Sequence, residues 1–303
     1  NPACRWILSL VSLIAYVFTK VSVTVYAGGM VFQTLIPELQ FAGLNSFWIG
    51  AVSVVLLTGV YTMVGGLRAV VYTDAMQTVV LLLGSLCITL IGLYHLGGWS
   101  VLREMNGSVR FNLWRPASDP EFPWPGMLFA APIVGLWYWG ADQYIVQRTL
   151  AARSLKIARR GTIFGAYLKI TPVFLFIVPG MIAYALVQKG MLVMDSPDQA
   201  FAALVTQLLP QGVRGLVVGG LLAALMSSLS SLFNSCSTLF TVDIYKKLKP
   251  AAPESELVRV GRIATGVVVG LGLLWIPAMQ LVSGALYEYL QSVQAYLAPP
   301  MTA

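Results

Sequence analysis

The sequence VRGLVVGGLLAALMSSLSSLFNSCSTLFTVDIYKKLK, residues 213–249, indicates the fold more directly than any other stretch of the chain. Its first half, from Leu216 to Met226, consists of small and apolar residues, as in a helix that lies in a membrane. The second half keeps that character but adds polar residues at steps of three and four, which place them on one helical face: Ser227, Ser231, Asn234, Thr238 and Thr241. The segment then ends on three lysines, which is typical of a membrane surface.

This polar face has two interpretations. Hydroxyls in a transmembrane helix can donate to the carbonyl oxygen four residues earlier, and small residues allow neighbouring helices to pack closely. Alternatively, adjacent hydroxyls and backbone carbonyl oxygens form a ligand set that suits a small hard cation such as sodium. Transporters hold such ions near the bilayer midplane, beside discontinuous helices.

The composition places the chain in a lipid bilayer. Of the 303 residues 57% are hydrophobic and only 10% are charged, whereas soluble domains carry about a quarter charged residues. We therefore predict an all-α, polytopic membrane protein. Its net charge of +7 is expected from basic residues at cytoplasmic helix ends and does not indicate a nucleic-acid partner. The three cysteines suggest neither a disulfide framework nor a zinc site.

Apolar runs of about 20 residues predict seven complete spans and the start of an eighth. The spans cover about residues 6–34, 47–64, 68–96, 126–148, 161–187, the serine-rich helix and 260–282, with the eighth beginning near Tyr287. Together they indicate a single transmembrane transporter domain over residues 1–303, incomplete at both ends. Residues 97–125 and 188–212 are expected to form extracellular loops, the second of them with a short amphipathic helix.

The distribution of basic residues sets the expected orientation. One side of the membrane would carry most of them: Arg5, Arg68, Arg148, Arg153, Lys156, Arg159, Arg160, Lys246, Lys247, Lys249, Arg259 and Arg262. The other side would carry Arg103, Arg110, Arg115, Lys189 and Arg214. The richer side is cytoplasmic by this rule, so the first span starts in the cytoplasm.

Several ionisable residues fall inside predicted spans. Lys169 lies roughly 13 Å along its helix from Arg160, at a depth where a charge costs at least about 2.5 kcal/mol. It either extends to the interface or acts as a donor in a polar cavity. Asp74 and Asp142 are either helix-end carboxylates paired with an arginine or residues that line a cation pathway. Lys20 is expected in a structural ion pair or as a buried donor.

Three consecutive aromatic residues, Trp137 to Trp139, lie in the middle of the fourth span. Aromatic residues favour the membrane interfaces, so this central position is informative. Their apolar faces and polar OH and NH groups suit the CH faces and hydroxyls of a sugar, although ordinary packing is the alternative. The amide of Gln291 could recognise hydroxyl groups with its donors and acceptor.

Six segments resemble the sodium/solute symporter family, and within it the sodium–glucose cotransporter branch. They are FTKVSVTVYAGG, YTMVGGLRAVVYTDAMQTVVLLLGS, LWYWGADQYIVQRTLAA, GAYLKITPVFLFIVPGMIAY, LMSSLSSLFNSCSTLFTVDIY and YLQSVQAYLAPP. The resemblance implies a leucine-transporter-like inverted repeat of five plus five helices. The first span would be core helix 3, the serine-rich helix core helix 8, and the chain would end as it enters core helix 10.

The resemblance also implies two binding sites. The sodium site would use the hydroxyls of Ser227 and Ser228 and the carbonyl of Ala224, with Asp74 as a carboxylate tied to cation coupling. The substrate site would use Lys169, Gln291, Tyr138 and Trp139.

By this resemblance the chain would perform sodium-coupled symport of a glucose- or galactose-like sugar across the plasma membrane by alternating access. It would not be an enzyme, and sodium would be its coupling ion with no other cofactor. Three positions depart from the family pattern: Gly135, Glu288 and Gln294. A polyol or inositol substrate therefore stays open, as does a non-transporting sugar sensor or sugar-gated channel.

Overall fold

The apolar runs of the sequence form long helices in the computed structural model, which describes residues 2–41, 43–120, 122–194, 197–281 and 292–296. Within these ranges the chain is helical and contains no β-strand, apart from an isolated bridge between Phe41 and Leu44. Five of the described helices are long and apolar enough to cross a membrane: Cys4–Leu35, Ser46–Leu96, Leu155–Gln188, Gln211–Leu248 and Glu254–Ala278. The eighth predicted span falls largely outside the described residues.

The helices follow one another along the chain with short connections. The first half comprises α1 (Pro2–Ala15), a π-helical segment (Tyr16–Val21), α2 (Ser22–Leu35), α3 (Ser46–Leu96), α4 (Trp99–Phe111), α5 (Ala131–Gly140) and α6 (Gln143–Leu150). The second half comprises α7 (Leu155–Leu168), α8 (Val178–Gln188), α9 (Ala200–Leu208), α10 (Gln211–Thr238), α11 (Lys246–Leu248) and α12 (Glu254–Leu281). Further π-helical segments at Gly126–Ala130, Val173–Ile177 and Leu239–Tyr245 precede α5, α8 and α11.

The predicted separation of the second and third spans is present as a kink inside α3. Gly66 has φ 57° and ψ −160° there, a combination that is accessible almost only to glycine. The Gly65-Gly66 pair of the sequence predicts a tight hairpin between these spans, and the structure has a single non-helical residue, Gly66, inside α3.

The apolar runs of the fourth and fifth spans predict continuous helices, but each contains an interruption. The fifth still falls within the continuous apolar segment Leu155–Gln188, which comprises α7, a π-helical segment and α8. The fourth divides at Ala141 and Asp142, because Gly140 ends α5 and the Asp142 carboxylate caps α6 by accepting from the Tyr144 amide at 3.3 Å. The fifth divides after Leu168, where Pro172 disfavours helical geometry in the residue before it. Lys169 therefore lies at a helix end rather than inside a helix.

The chain divides into two compact units. Unit one comprises residues 1–78 and 221–293, and unit two comprises residues 79–220 and 294–303. Each unit is built from segments that are distant in sequence.

The single transmembrane domain over residues 1–303 stays a prediction, as does the extracellular placement of the loops at 97–125 and 188–212. The short helix expected in the second loop is present as α9.

Unit one is held together by close helix approaches at glycines. A Cβ atom at Gly59 would lie 2.9 Å from the Val269 side chain, and one at Gly272 would lie 2.8 Å from Val21. Small residues permit this proximity between transmembrane helices. At one end of the unit, Asp243 forms an ion pair with Arg5 and accepts a hydrogen bond from Ser9 at 2.7 Å.

The connection between α11 and α12 contains an exposed ion pair, in which Lys249 Nζ lies 2.7 Å from a Glu256 oxygen. This hydrogen bond raises the pKa of Lys249. Exposed pairs of this kind contribute little to stability.

Unit two has polar contacts between otherwise apolar helices. Thr89 on α3 donates to the Phe174 carbonyl at 2.8 Å, and Lys189 donates to the Leu96 carbonyl at 2.8 Å. Asn106 on α4 donates to the Met181 carbonyl of α8 at 3.2 Å. The Leu96 carbonyl is at the end of α3, where an intrahelical partner is missing, so Lys189 satisfies it.

Candidate functional site

Ser227 and Asp74 are in direct contact in unit one, although 153 residues separate them in the sequence. The Ser227 hydroxyl on α10 donates a hydrogen bond to the Asp74 carboxylate on the second half of α3. Both side chains are only half-buried. The contact joins a residue expected to bind sodium to the carboxylate expected on the cation pathway, and the cation role of both stays a prediction.

The neighbouring Ser228 hydroxyl donates no hydrogen bond within the part of the chain that the structure describes, and it too is half-buried. Its oxygen lone pairs are therefore available to a ligand. Helix α10 runs through Ala224 and Ser228 without interruption. Because the Ala224 carbonyl then accepts one helical hydrogen bond, it can offer a cation only its second lone pair.

The remaining hydroxyls of this helix mostly bond to backbone carbonyls, as the first of the two interpretations anticipates. Ser230 and Ser231 both donate to the Ser227 carbonyl, at 2.9 and 2.8 Å. Ser235 donates to the Ser231 carbonyl at 2.8 Å. Position on the polar face alone therefore does not identify a cation ligand, since Ser231 and Thr238 on that face donate to backbone carbonyls whereas Ser227 donates to a carboxylate.

Tyr61 is a residue of this cluster that the sequence analysis did not identify. Its hydroxyl donates to the Met226 carbonyl at 3.1 Å, one residue before Ser227. The hydroxyls of Ser230 and Thr73 lie beside it. Tyr61 thus connects the first half of α3 to the backbone of α10 at the candidate sodium site. An isolated tyrosine in an apolar run gives no sequence signal for this contact.

Three of the predicted substrate residues form a cluster in unit two. The Lys169 ammonium lies 5.4 Å from the centre of the Trp139 ring, close enough for a cation–π interaction. The Tyr138 and Trp139 rings are in edge-to-face contact at 5.2 Å between centroids. Trp139 is 53% exposed and Lys169 is exposed, whereas Trp137 is buried. The cluster offers a charged donor beside exposed aromatic surface, and its role in substrate binding stays a prediction.

The other membrane-depth charges have structural surroundings. Asp142 is only 2% exposed and caps α6. Lys20 is buried in the first π-helical segment, where its ammonium lies 4.9 Å from the centre of the Tyr16 ring. Gln291 lies outside the described residues. The candidate sodium residues belong to unit one and the aromatic cluster belongs to unit two.

A model of the sodium:solute symporter family matches residues 2–303 of the chain. Among similar proteins, sodium/glucose cotransporter 4 of Mus musculus is 38% identical over 98% of the chain and 47% of its own length. The sodium/myo-inositol cotransporter 2 of Homo sapiens is 39% identical over 97% of the chain and 47% of its own length. A sodium/mannose cotransporter of Bos taurus is 39% identical over 99% of the chain and 54% of its own length. The chain spans about half the length of these relatives.

A solved structure has a similar fold. It is that of a Na⁺-coupled sialic acid symporter in a substrate-bound outward-open state, which is 21% identical to the chain and has a TM-score of 0.78. The match covers 97% of the chain and 61% of that protein. The predicted fold class, an all-α membrane protein with the leucine-transporter-like fold, is thereby confirmed.

Proposed function

Because the chain belongs to the sodium:solute symporter family, we propose that it couples the movement of a sugar across the plasma membrane to the movement of sodium. The relatives' names support both parts of this proposal, since each pairs sodium with a sugar or a polyol. No covalent step is needed. Coupling comes from a difference in binding affinity between two conformational states of the transporter. The effect is reciprocal, because the ion changes the affinity for the sugar by the same factor as the sugar changes the affinity for the ion.

The contact between Ser227 and Asp74 is the observation that carries the sodium part of the proposal. The Asp74 carboxylate accepts from Ser227, which precedes the available Ser228 hydroxyl on α10, and Ala224 lies about one helical turn earlier on the same helix. These groups are candidate oxygen ligands, and one of them is anionic. Hard alkali cations prefer such ligands, and discontinuous helices elsewhere in the site supply further carbonyls in transporters. Sodium binding here would compete with the Ser227 hydrogen for the Asp74 carboxylate.

The aromatic cluster of unit two supports the sugar part. A sugar presents apolar CH faces and hydroxyl groups, which match the exposed Trp139 ring, the Tyr138 hydroxyl and the Lys169 ammonium. Gln291 would add amide contacts, by its resemblance to the family pattern. Because Gly135 has nothing within 4 Å of where its Cβ would be, it leaves open space where relatives carry a polar side chain.

The identity of the solute is tested by uptake into liposomes that contain the full-length protein. D-glucose, D-galactose, D-mannose and myo-inositol are compared under an inward sodium gradient, with potassium replacing sodium as the control. The proposal predicts accumulation of a sugar above its equilibrium level only with sodium. Accumulation of myo-inositol alone would instead identify a polyol symporter. Sugar binding without accumulation would contradict symport and indicate a sensor or channel.

A further inference from the structure

A cavity of about 380 Å³ lies within unit one, and none of the residues assigned to sodium or sugar lines it. Three helical regions line it: the end of the first half of α3, the serine-rich helix with its π-helical continuation, and the beginning of α12. The lining residues that matter below are Thr62, Ser237, Thr238, Thr241, Arg262 and Thr265. The cavity is at the kink of α3, since Gly65 and Gly66 also contact it.

Two buried hydroxyls of this cavity lack a hydrogen-bond partner among the described residues. Thr62 is 4% exposed and Thr241 is 7% exposed, and neither hydroxyl oxygen donates to or accepts from any described group. Their neighbours differ, because Ser237 and Thr265 both donate to the Gly261 carbonyl, at 2.8 and 3.0 Å. Buried polar groups without a partner are rare and costly, so Thr62 and Thr241 indicate a ligand that accepts from them.

The charge of the residues that line the cavity indicates which kind of ligand it binds. Arg262 is exposed, forms no ion pair with any described residue, and lines the cavity that holds the two threonines. The lining as described contains no carboxylate. A guanidinium with five donors, together with two hydroxyl donors, suits a tetrahedral anion with several acceptor oxygens. A cation would find no negative partner here.

We infer that this cavity binds a phosphate group, with Arg262 at its exposed side and Thr62 and Thr241 at its buried side. Lys246, Lys247, Lys249 and Arg259 flank the lining segments in the sequence and mark the end of the unit expected at the cytoplasmic surface. The group could belong to an anionic phospholipid headgroup or to a soluble phosphate. The site does not depend on the proposed sugar transport.

The test measures the thermal stability of the purified full-length protein in detergent. Inorganic phosphate and dioctanoyl phosphatidylglycerol are titrated separately, with dioctanoyl phosphatidylcholine as the neutral-lipid comparison. At least one anionic probe is expected to raise the unfolding temperature in a saturable way. Saturation by phosphatidylglycerol alone identifies a lipid headgroup, and saturation by inorganic phosphate identifies a soluble anion. Stabilisation by neither would overturn the inference.

Two variants separate a specific site from general surface charge. Arg262→Gln is expected to raise the apparent Kd of the probe about tenfold, as expected for the loss of a charged hydrogen-bond partner. Arg259→Gln is the matched control, since it removes the same charge three residues earlier on α12, outside the lining. The double variant Thr62→Val with Thr241→Val keeps every charge and is also expected to weaken binding. Equal losses in Arg262→Gln and Arg259→Gln would overturn the site.

Discussion

The proposed sodium coupling depends more on the surroundings of Asp74 than on those of any other residue. A carboxylate at membrane depth is costly unless a hydrogen bond or a cation stabilises its charge. Ser227 provides one such hydrogen bond. Because a hydroxyl has a single proton, it leaves most of the acceptor capacity of the carboxylate for other donors or for an ion. In the proposed mechanism, sodium replaces the hydrogen bond from Ser227 at Asp74.

Asp74→Asn should weaken sodium activation of transport, because the amide keeps an acceptor for Ser227 but loses the negative charge. We expect the half-activating sodium concentration to rise about tenfold, equivalent to about 1.4 kcal/mol. Sodium-dependent uptake in liposomes measures it. Asp119→Asn, which removes the carboxylate paired with Arg115 in unit two, is the control and should leave sodium activation unchanged. Wild-type activation in Asp74→Asn would exclude the carboxylate from the cation pathway.

Tyr61→Phe should change the sodium dependence of transport more than the affinity for sugar. The change removes the hydrogen bond to the Met226 carbonyl, a contact of about 1 kcal/mol, and loosens α10 beside Ser227 and Ser228. The half-activating sodium concentration should rise several-fold, while the KM for sugar at saturating sodium stays constant. Tyr72→Phe, on the same helix but exposed, serves as the matched control. Equal shifts in sodium activation and sugar KM would indicate a general structural defect.

Lys169→Met should raise the KM for sugar about tenfold, since it removes a charged donor next to Trp139 worth about 1.5 kcal/mol or more. Sodium activation, measured at saturating sugar, should stay near wild type. Lys156→Met changes an exposed lysine in the first turn of α7, the helix whose C-terminal end Lys169 follows, and should have no effect. An unchanged sugar KM in Lys169→Met would remove the lysine from the substrate site.

At the level of the helices, hydrophobic runs predict where the long apolar helices lie, but hydropathy alone does not predict the two interruptions. Both breaks carry a local signal in the sequence: Thr171 precedes Pro172, and Gly140 is followed two residues later by the capping Asp142. Apolar composition continues through both positions, which is why the spans were predicted as continuous. The break after Leu168 brings Lys169, a residue of the proposed substrate site, to a helix end.

The kink of α3 can be tested through Gly66. Gly66→Ala should destabilise the protein by about 1–3 kcal/mol, because φ 57° with ψ −160° is strained for any residue with a Cβ. The unfolding temperature in detergent should fall accordingly. Gly270→Ala is the control, since it lies inside α12 with nothing within 4 Å of its Cβ position, and should be neutral or stabilising. If the Gly66→Ala variant unfolded at or above the wild-type temperature, that result would contradict the predicted backbone strain at this position.

For the whole molecule, the sequence predicted the fold class and the family through ordered motifs but could not predict which hydroxyls are available. Periodicity places Ser227, Ser231 and Asn234 on one face, yet only tertiary structure shows that Ser227 donates to Asp74 while Ser231 donates to a backbone carbonyl. The sequence does not predict the Tyr61 contact either, since that contact depends on the packing of α3 against α10. Local pattern determines helices, whereas the site depends on contacts between distant segments.

The most direct measurement of the central claim is sodium activation of sugar uptake by the full-length protein in liposomes, comparing Ser228→Ala with Ser235→Ala. Both changes remove one hydroxyl from the same helix, but Ser235 is buried and donates to the Ser231 carbonyl, whereas Ser228 donates to no described group. The account predicts that Ser228→Ala raises the half-activating sodium concentration about tenfold, as for the loss of one ligand, and that Ser235→Ala leaves it unchanged. Identical sodium activation in the two variants would contradict a sodium site at these serines.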